Sequence, residues 1–171
     1  MKITKSKQKI KESFLNLRKT KNIEKKTVTE LCQKAHINKS TFYVYYHDIY
    51  DLSECLEDEV VNEIILSITH PENIFLDPTS FTKEFIEAFF KKEADIKLIF
   101  SGHRSSILPD KIHKLLKAYL FNLMPEKQTE RMNILLTYMI YGTYYSYMAN
   151  EHYSRKSIDQ EVSQIIKKLS T

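Results

Sequence analysis

Apolar residues recur along this chain at helical spacing and almost nowhere with the alternation of a strand. Ile10, Phe14 and Leu17 fall at i, i+4 and i+7, which predicts a first helix over about residues 4–19. After the polar stretch KTKNIEKK, Val28, Leu31, Cys32 and Ala35 repeat the pattern at i, i+3, i+4 and i+7. Thr27 stands just before that stripe, and Glu30 sits three residues further on. That is the spacing of a capping box, so a short second helix is expected over about 28–35. His36-Ile37 leaves room only for a tight connection. Asn38 is a good N-cap for a third helix, about 39–45. Asp48 caps a fourth, whose apolar positions Leu52, Leu56, Val60, Ile64 and Ile68 carry it to about residue 69.

HPENIFLDPTS, residues 70–80, interrupts the pattern with two prolines and several turn formers. Phe81, Phe85 and Phe89 then mark a helix, and a shorter one is expected around 93–101. SGHRSSILP is a second loop, with Pro109 placed to open a helix over about 109–122. MPEKQ is a third break. Met132, Leu135, Leu136, Met139, Ile140 and Thr143 define a long helix to about 150, and Ile158, Val162, Ile165, Ile166 and Leu169 a last one. The fold class that follows is all-α, about nine helices, with no internal repeat.

Composition agrees. Only two glycines and four prolines occur in 171 residues, too few turn markers for many short strands. Charge interrupts every apolar stretch well before the ~18 residues of a membrane span. The N-terminus MKITKSKQKIKESF lacks the apolar core of a secretory signal. Cys32 and Cys55 lie within apolar-periodic segments and read as small buried hydrophobes of a reducing compartment, with a disulfide as the alternative. No CxxC or HxxxH pair suggests a metal site. No nucleophile–base motif or glycine-rich phosphate loop suggests catalysis or a cofactor. His103-Arg104-Ser105-Ser106 is polar but has no acid pair near it in sequence.

Charge changes the picture more. The net charge of +4 is the sum of +9 over residues 1–40 (twelve basic, three acidic), −9 over 41–82 (nine acidic, none basic) and +4 over 83–171 (fourteen basic, ten acidic). A basic first third points to a polyanion, with a merely solubilising lysine-rich tail as the alternative. The acidic fourth helix, with Glu54, Glu57, Asp58, Glu59 and Glu63, reads as a solvated face.

The segment NKSTFYVYYHD, residues 38–48, carries four aromatic rings behind a small, polar, basic start. Two short helices joined by a tight turn, with a preceding helix to pack on, make a helix-turn-helix pattern. In that pattern the second helix presents its N-terminal residues to base edges in the major groove. Here those residues are Asn38, Lys39, Ser40 and Thr41. Phe42 and Tyr46, four apart, face inward as the anchor, which leaves Tyr43, Val44, Tyr45 and His47 nearer the outside.

Over residues 9–52 the sequence KIKESFLNLRKTKNIEKKTVTELCQKAHINKSTFYVYYHDIYDL resembles the N-terminal DNA-binding domain of TetR-family transcriptional regulators. The Thr-Val opening the second helix, Ala35 near its end, the Lys-Ser-Thr-Phe-Tyr helix and the aromatic before the Asp-Leu pair carry the match. The resemblance implies that Thr27, Tyr43 and Tyr45 touch phosphates while Lys39, Ser40 and Val44 face base edges. His36 stands where the family usually has Gly in the turn. If that residue is left-handed, its side chain costs roughly 1 kcal/mol. Ser40 also replaces a usual Gly. Ile49 stands where a phosphate-binding Lys is common, and the lysines of residues 2–11 offer a substitute.

The resemblance further implies a DNA-binding part over residues 1–47 with the start of the fourth helix, and a dimerisation and effector-binding part over 48–171. It implies a double-stranded DNA operator, a homodimer through the last two helices and a location in the bacterial cytoplasm. A repressor released by a small molecule is the first expectation. An activator using a protein coregulator, or a helical interaction protein that has lost operator binding, is the alternative. Tyr138, Tyr141 and Tyr145 share one helix face and would line the effector pocket, with Phe85, Phe89, Phe100 or His103 opposite; plain core is the other reading of these rings. Gly142, in a helix interior, asks for the close approach of another backbone.

Overall fold

The structure is a computed structural model that describes residues 5–20 and 22–169, and its regular elements there are all helical. They are α1 (Lys5–Arg18), α2 (Val28–Ala35), α3 (Lys39–Tyr43), α4 (Ile49–Leu66), α5 (Asn73–Leu76), α6 (Pro78–Lys91), α7 (Glu93–Ile99), α8 (Leu108–Leu123), α9 (Glu130–Met148) and α10 (Arg155–Leu169). Thr4, where the first helix was expected to begin, and Lys2 of the basic arm lie outside the described residues. α5 falls inside the expected break at 70–80, and α3 and α4 end two to three residues early. After Tyr43 the backbone turns: the N–H groups of Tyr45 and Tyr46 both donate to the Phe42 carbonyl, at 2.9 and 3.1 Å.

The chain packs as two compact units. One comprises the chain through Val60 together with Ala94–Ser106; the other comprises Val61–Glu93 and the chain from Ile107 onward. The functional parts expected from the sequence meet at Asp48, so Ala94–Ser106 belongs to the first packing unit although it lies in the second expected part.

In the first unit the sequence stripes become the core. Ile10, Phe14 and Leu17 of α1, Leu31 and Ala35 of α2, Phe42 and Tyr46, and Leu52 and Leu56 of α4 are all buried. The helix ends are tied as their residues dictate. The Thr27 hydroxyl accepts from the Glu30 N–H at 3.1 Å. Asp48 Oδ1 accepts from the N–H groups of Tyr50 and Asp51 at 2.7 and 2.8 Å, and Asp51 Oδ2 accepts from His47 N–H at 2.8 Å. That reciprocal box fixes the start of α4. Asn38 has the extended backbone of an N-cap, but its side chain makes no capping bond.

α2 ends on His36 in the left-handed conformation, φ 52° and ψ 50°. The His36 N–H donates to Gln33 O and the Ile37 N–H to Cys32 O, which is the double closure of a Schellman turn. The turn therefore keeps its glycine geometry without a glycine. His36→Gly is expected to raise stability by about 1 kcal/mol, read from urea unfolding. A loss instead would show that the imidazole contributes more than its backbone costs.

The acidic face of α4 is not simply solvated, which corrects the sequence expectation. Glu57 has 0% exposure and accepts from Arg104 Nε at 2.7 Å, Arg104 Nη2 at 2.6 Å and the Ser53 hydroxyl at 2.9 Å. Glu57 is thus the acid that the polar HRSS segment lacks near it in sequence. The hydrogen bonds to Glu57 hold its guanidinium pKa above the usual arginine value. Glu59 pairs with Lys11, and Glu63 with Lys92 at 2.6 Å. Two further cations close helix C-termini, where carbonyls lack partners. Arg18 donates to the carbonyls of Leu98, Ile99 and Ser101 at the end of α7, and Lys26 donates to Leu17 O at the end of α1.

In the second unit, Phe81, Ile86 and Phe89 of α6, Ile112, Leu116 and Leu120 of α8, Leu136, Met139, Ile140 and Tyr147 of α9, and Ile158, Val162 and Ile166 of α10 are buried. Tyr147 donates its hydroxyl to Asp159, and the Arg155 guanidinium lies 3.9 Å from the centre of the Phe90 ring. Gly142 does not meet the close backbone approach expected of it. A methyl added there would find nothing within 4 Å in this chain.

Candidate nucleic-acid interface

The surface around α3 follows from one helical turn of geometry. Phe42 and Tyr46 are buried with their ring centres 5.7 Å apart, so they pin one side of the segment to the core. Burial pushes the Tyr46 phenol up to about 12, which keeps it neutral over the whole ordinary pH range. With that side fixed, Lys39, Ser40, Tyr43 and Val44 project outward together, and Asn38 and His47 are exposed at the two ends. Tyr43 is 55% exposed and Val44 76%. The Tyr43 ring stands edge-on against Phe42 at 5.5 Å, which limits its motion without hiding its hydroxyl. Thr41 and Tyr45 are half-buried, and Tyr45 packs against Tyr46 at 6.4 Å. Thr27, at the start of α2, is exposed, although its hydroxyl already accepts the capping bond.

Ile49 is buried. It belongs to the core and offers nothing to a phosphate. Tyr50 beside it, the aromatic before the Asp51-Leu52 pair, is exposed. On α1, Lys5 and Lys9 are exposed while Lys11 is engaged by Glu59. The arrangement can bind an extended anion through tyrosine and threonine hydroxyls and lysine ammonium groups, and it can lay a small polar and apolar face against base edges.

Within the second unit the residues expected to line an effector pocket are not brought into one cavity: Tyr138 borders an open groove of about 540 Å³ with Ile134, Leu135 and Leu169, apart from Phe85 and Phe89. Phe85 and Phe89 border an apolar cavity of about 20 Å³ with Thr143, Tyr144 and Tyr147, and Phe85 borders another of about 30 Å³ with Met139, Ile140 and Thr143. Both are far below the roughly 300–1,000 Å³ of small-molecule pockets. Phe100 is buried in the first unit, and His103 is exposed in the 3-10 turn Gly102–Ile107 of that unit. Tyr138 and Tyr145 are mostly exposed. Tyr141 donates to Asp110 Oδ1 at 2.6 Å, and that bond raises its phenol to about 12.

The rings that line the cavities, Tyr144 and Tyr147, continue the row Leu136–Ile140 at helical spacing, a signal the sequence held but that was read on the neighbouring face. His113, also unremarked in sequence, joins α8 to α9. Thr137 spends its hydroxyl hydrogen on Asn133 O at 2.7 Å, so His113 Nε2 is the donor in the 2.9 Å contact to Thr137 Oγ1.

Cys32 and Cys55 are free thiols, and burial pushes both upward in pKa. Among the described residues no group of three or more His, Cys, Asp or Glu is placed to hold a metal ion, and no helix is long and apolar enough to cross a membrane. No family model, curated protein or solved structure matches this chain.

Proposed function

We propose that this chain is a sequence-specific DNA-binding transcriptional regulator of the TetR type, acting as a homodimer in the bacterial cytoplasm and carrying no catalytic site, cofactor or metal. The observation that carries this reading is the exposed arc of Lys39, Ser40, Tyr43 and Val44, held over the buried anchor Phe42–Tyr46. The +9 charge of residues 1–40 supplies the attraction for phosphate. In a two-fold dimer two such helices enter successive major grooves.

The dimer reading has support in the last two long helices. Ile134, Tyr138, Gly142 and Tyr145 form an exposed row on α9, and Ile165 and Leu169 are exposed apolar positions on α10. The α10 stripe therefore divides. Ile158, Val162 and Ile166 serve the core, and the offset pair is left for a partner copy.

A repressor released by a small-molecule effector is the first form of the proposal. The second form is an activator that uses a protein coregulator; the enclosed apolar cavities, about 30 and 20 Å³, suit it, while the open grooves of about 370 and 540 Å³ along α9 and α10 leave room for a small molecule. In either form the controlling ligand acts only through its differential affinity for the DNA-bound and free states.

Gel shifts against the DNA upstream of the protein's own gene, across a range of salt, test the reading. Tight, salt-sensitive and sequence-selective binding is expected. Absence of selectivity at every salt would leave only a helical interaction protein. Tyr43→Phe should weaken binding to all duplexes alike, by several-fold, because it removes one hydrogen bond of ordinary strength. Lys39→Ala should cost about 1–3 kcal/mol on the preferred duplex and relax one base position. If the two variants behave identically, the division between phosphate and base contacts is wrong.

A further inference from the structure

The exposed arc of α3 has two edges of different chemistry. At about 100° per residue, Lys39 and Tyr43 fall together on one edge and Ser40 and Val44 on the other. The Val44 N–H donates to the Ser40 carbonyl at 3.2 Å, so the two side chains sit one above the other across a single turn. This edge therefore sets a hydroxyl beside an isopropyl group. Val44, at 76%, is the most exposed of the large apolar residues described, and it contributes little to the core of its unit. A β-branched side chain held out in water on an otherwise polar surface gains most by being covered.

Thymine alone among the bases offers the complement. In the major groove it presents the O4 acceptor next to the C5 methyl group. Cytosine presents a donor and no methyl, and the purines present no methyl at all. Resting on the DNA-binding reading above, we infer that Ser40 and Val44 together read one thymine in each operator half-site. The Ser40 hydroxyl donates to O4, and the Val44 isopropyl group covers the methyl. Lys39, on the other edge, is the cation of the arc, so it is left to the acceptors of a guanine.

The test begins with selection of a preferred duplex from a randomised library using the full-length protein. Each thymine of that duplex is then replaced in turn by deoxyuridine, which removes the methyl and nothing else. At one symmetry-related pair of positions the replacement is expected to weaken binding about fourfold per site, the yield of burying one methyl-sized group. With Val44→Ala the same replacement should change binding less than about twofold, because the group that covers the methyl is gone. Ser40→Ala should leave the deoxyuridine effect in place but lessen the preference for thymine or uracil over cytosine there.

Selective binding with no deoxyuridine-sensitive position, or with equal sensitivity in Val44→Ala, overturns the thymine assignment and leaves the regulator standing. Failure of the wild-type protein to select any duplex overturns both.

Discussion

Replacing Arg104 by alanine is expected to cost the protein about 3–5 kcal/mol of stability, a large part of the ~5–15 kcal/mol a domain has in total. The reason lies in Glu57, not in the arginine. Glu57 has no exposed surface, and two of its bonds, at 2.7 and 2.6 Å, come from the one guanidinium. Removing Arg104 withdraws those charged donors from a carboxylate that water does not reach. Arg104 keeps 17% exposure of its own and has Glu54 at 3.7 Å as a second acid, which places the loss toward the lower end of the range.

Urea unfolding followed by circular dichroism reads the effect, and the melting temperature should fall by roughly 6–12 °C. A second variant separates the pair from its surroundings. Glu57→Met with Arg104→Met removes both charges and should be more stable than Arg104→Ala, because a buried pair gains little over apolar side chains of similar size. A loss below 1 kcal/mol for Arg104→Ala would show that water reaches Glu57 in solution.

That pair also marks where sequence reading stops. Glu57 and Arg104 stand 47 residues apart, and no periodicity links them. From sequence, Glu57 is one of six acids on an amphipathic helix and Arg104 one residue of a polar loop, so each looks solvated. Local signals fared better. The i, i+4, i+7 rows of α1, α2 and α4 place one face in the core, and the Thr27 and Asp48 caps act within three residues of themselves, so chain order is enough to find them.

α9 failed for the opposite reason. Met132 to Met148 is apolar or aromatic almost all round, so its periodicity does not choose a face. Tyr138, Tyr141 and Tyr145 were as good a row in sequence as the one that packs, and only the neighbouring helices decide between them. His36 shows a third limit. A left-handed residue is usually signalled by Gly, and here the turn takes that conformation with a side chain that gives no such signal.

The aromatic segment after His36 gives the other large effect, and it separates two residues adjacent in sequence. Phe42→Ala is expected to cost about 3–5 kcal/mol, since the ring has no exposure and its removal leaves a cavity at the centre of the first unit. Tyr43→Ala, by contrast, should cost no more than about 1 kcal/mol. More than half of the residue is in water, and its ring packs edge-on against Phe42 at 5.5 Å.

Under the proposed function the two variants should nonetheless look alike in a gel shift at 37 °C, both losing most of their binding. Phe42→Ala loses it because, without the ring that anchors α3, the folded population falls at that temperature. Tyr43→Ala loses it because a rigid phosphate contact is gone from an intact surface. Cooling, or adding a stabilising osmolyte, tells them apart. Binding by Phe42→Ala should recover as the folded population recovers, while binding by Tyr43→Ala should stay weak at every temperature at which the protein is folded. If Tyr43→Ala unfolds as readily as Phe42→Ala, then Tyr43 is part of the core in solution and the exposed arc is narrower than the geometry makes it. If instead it stays folded and binds as tightly as the native chain, the phosphate contact assigned to Tyr43 is wrong, and the arc reads DNA through Lys39, Ser40 and Val44 alone.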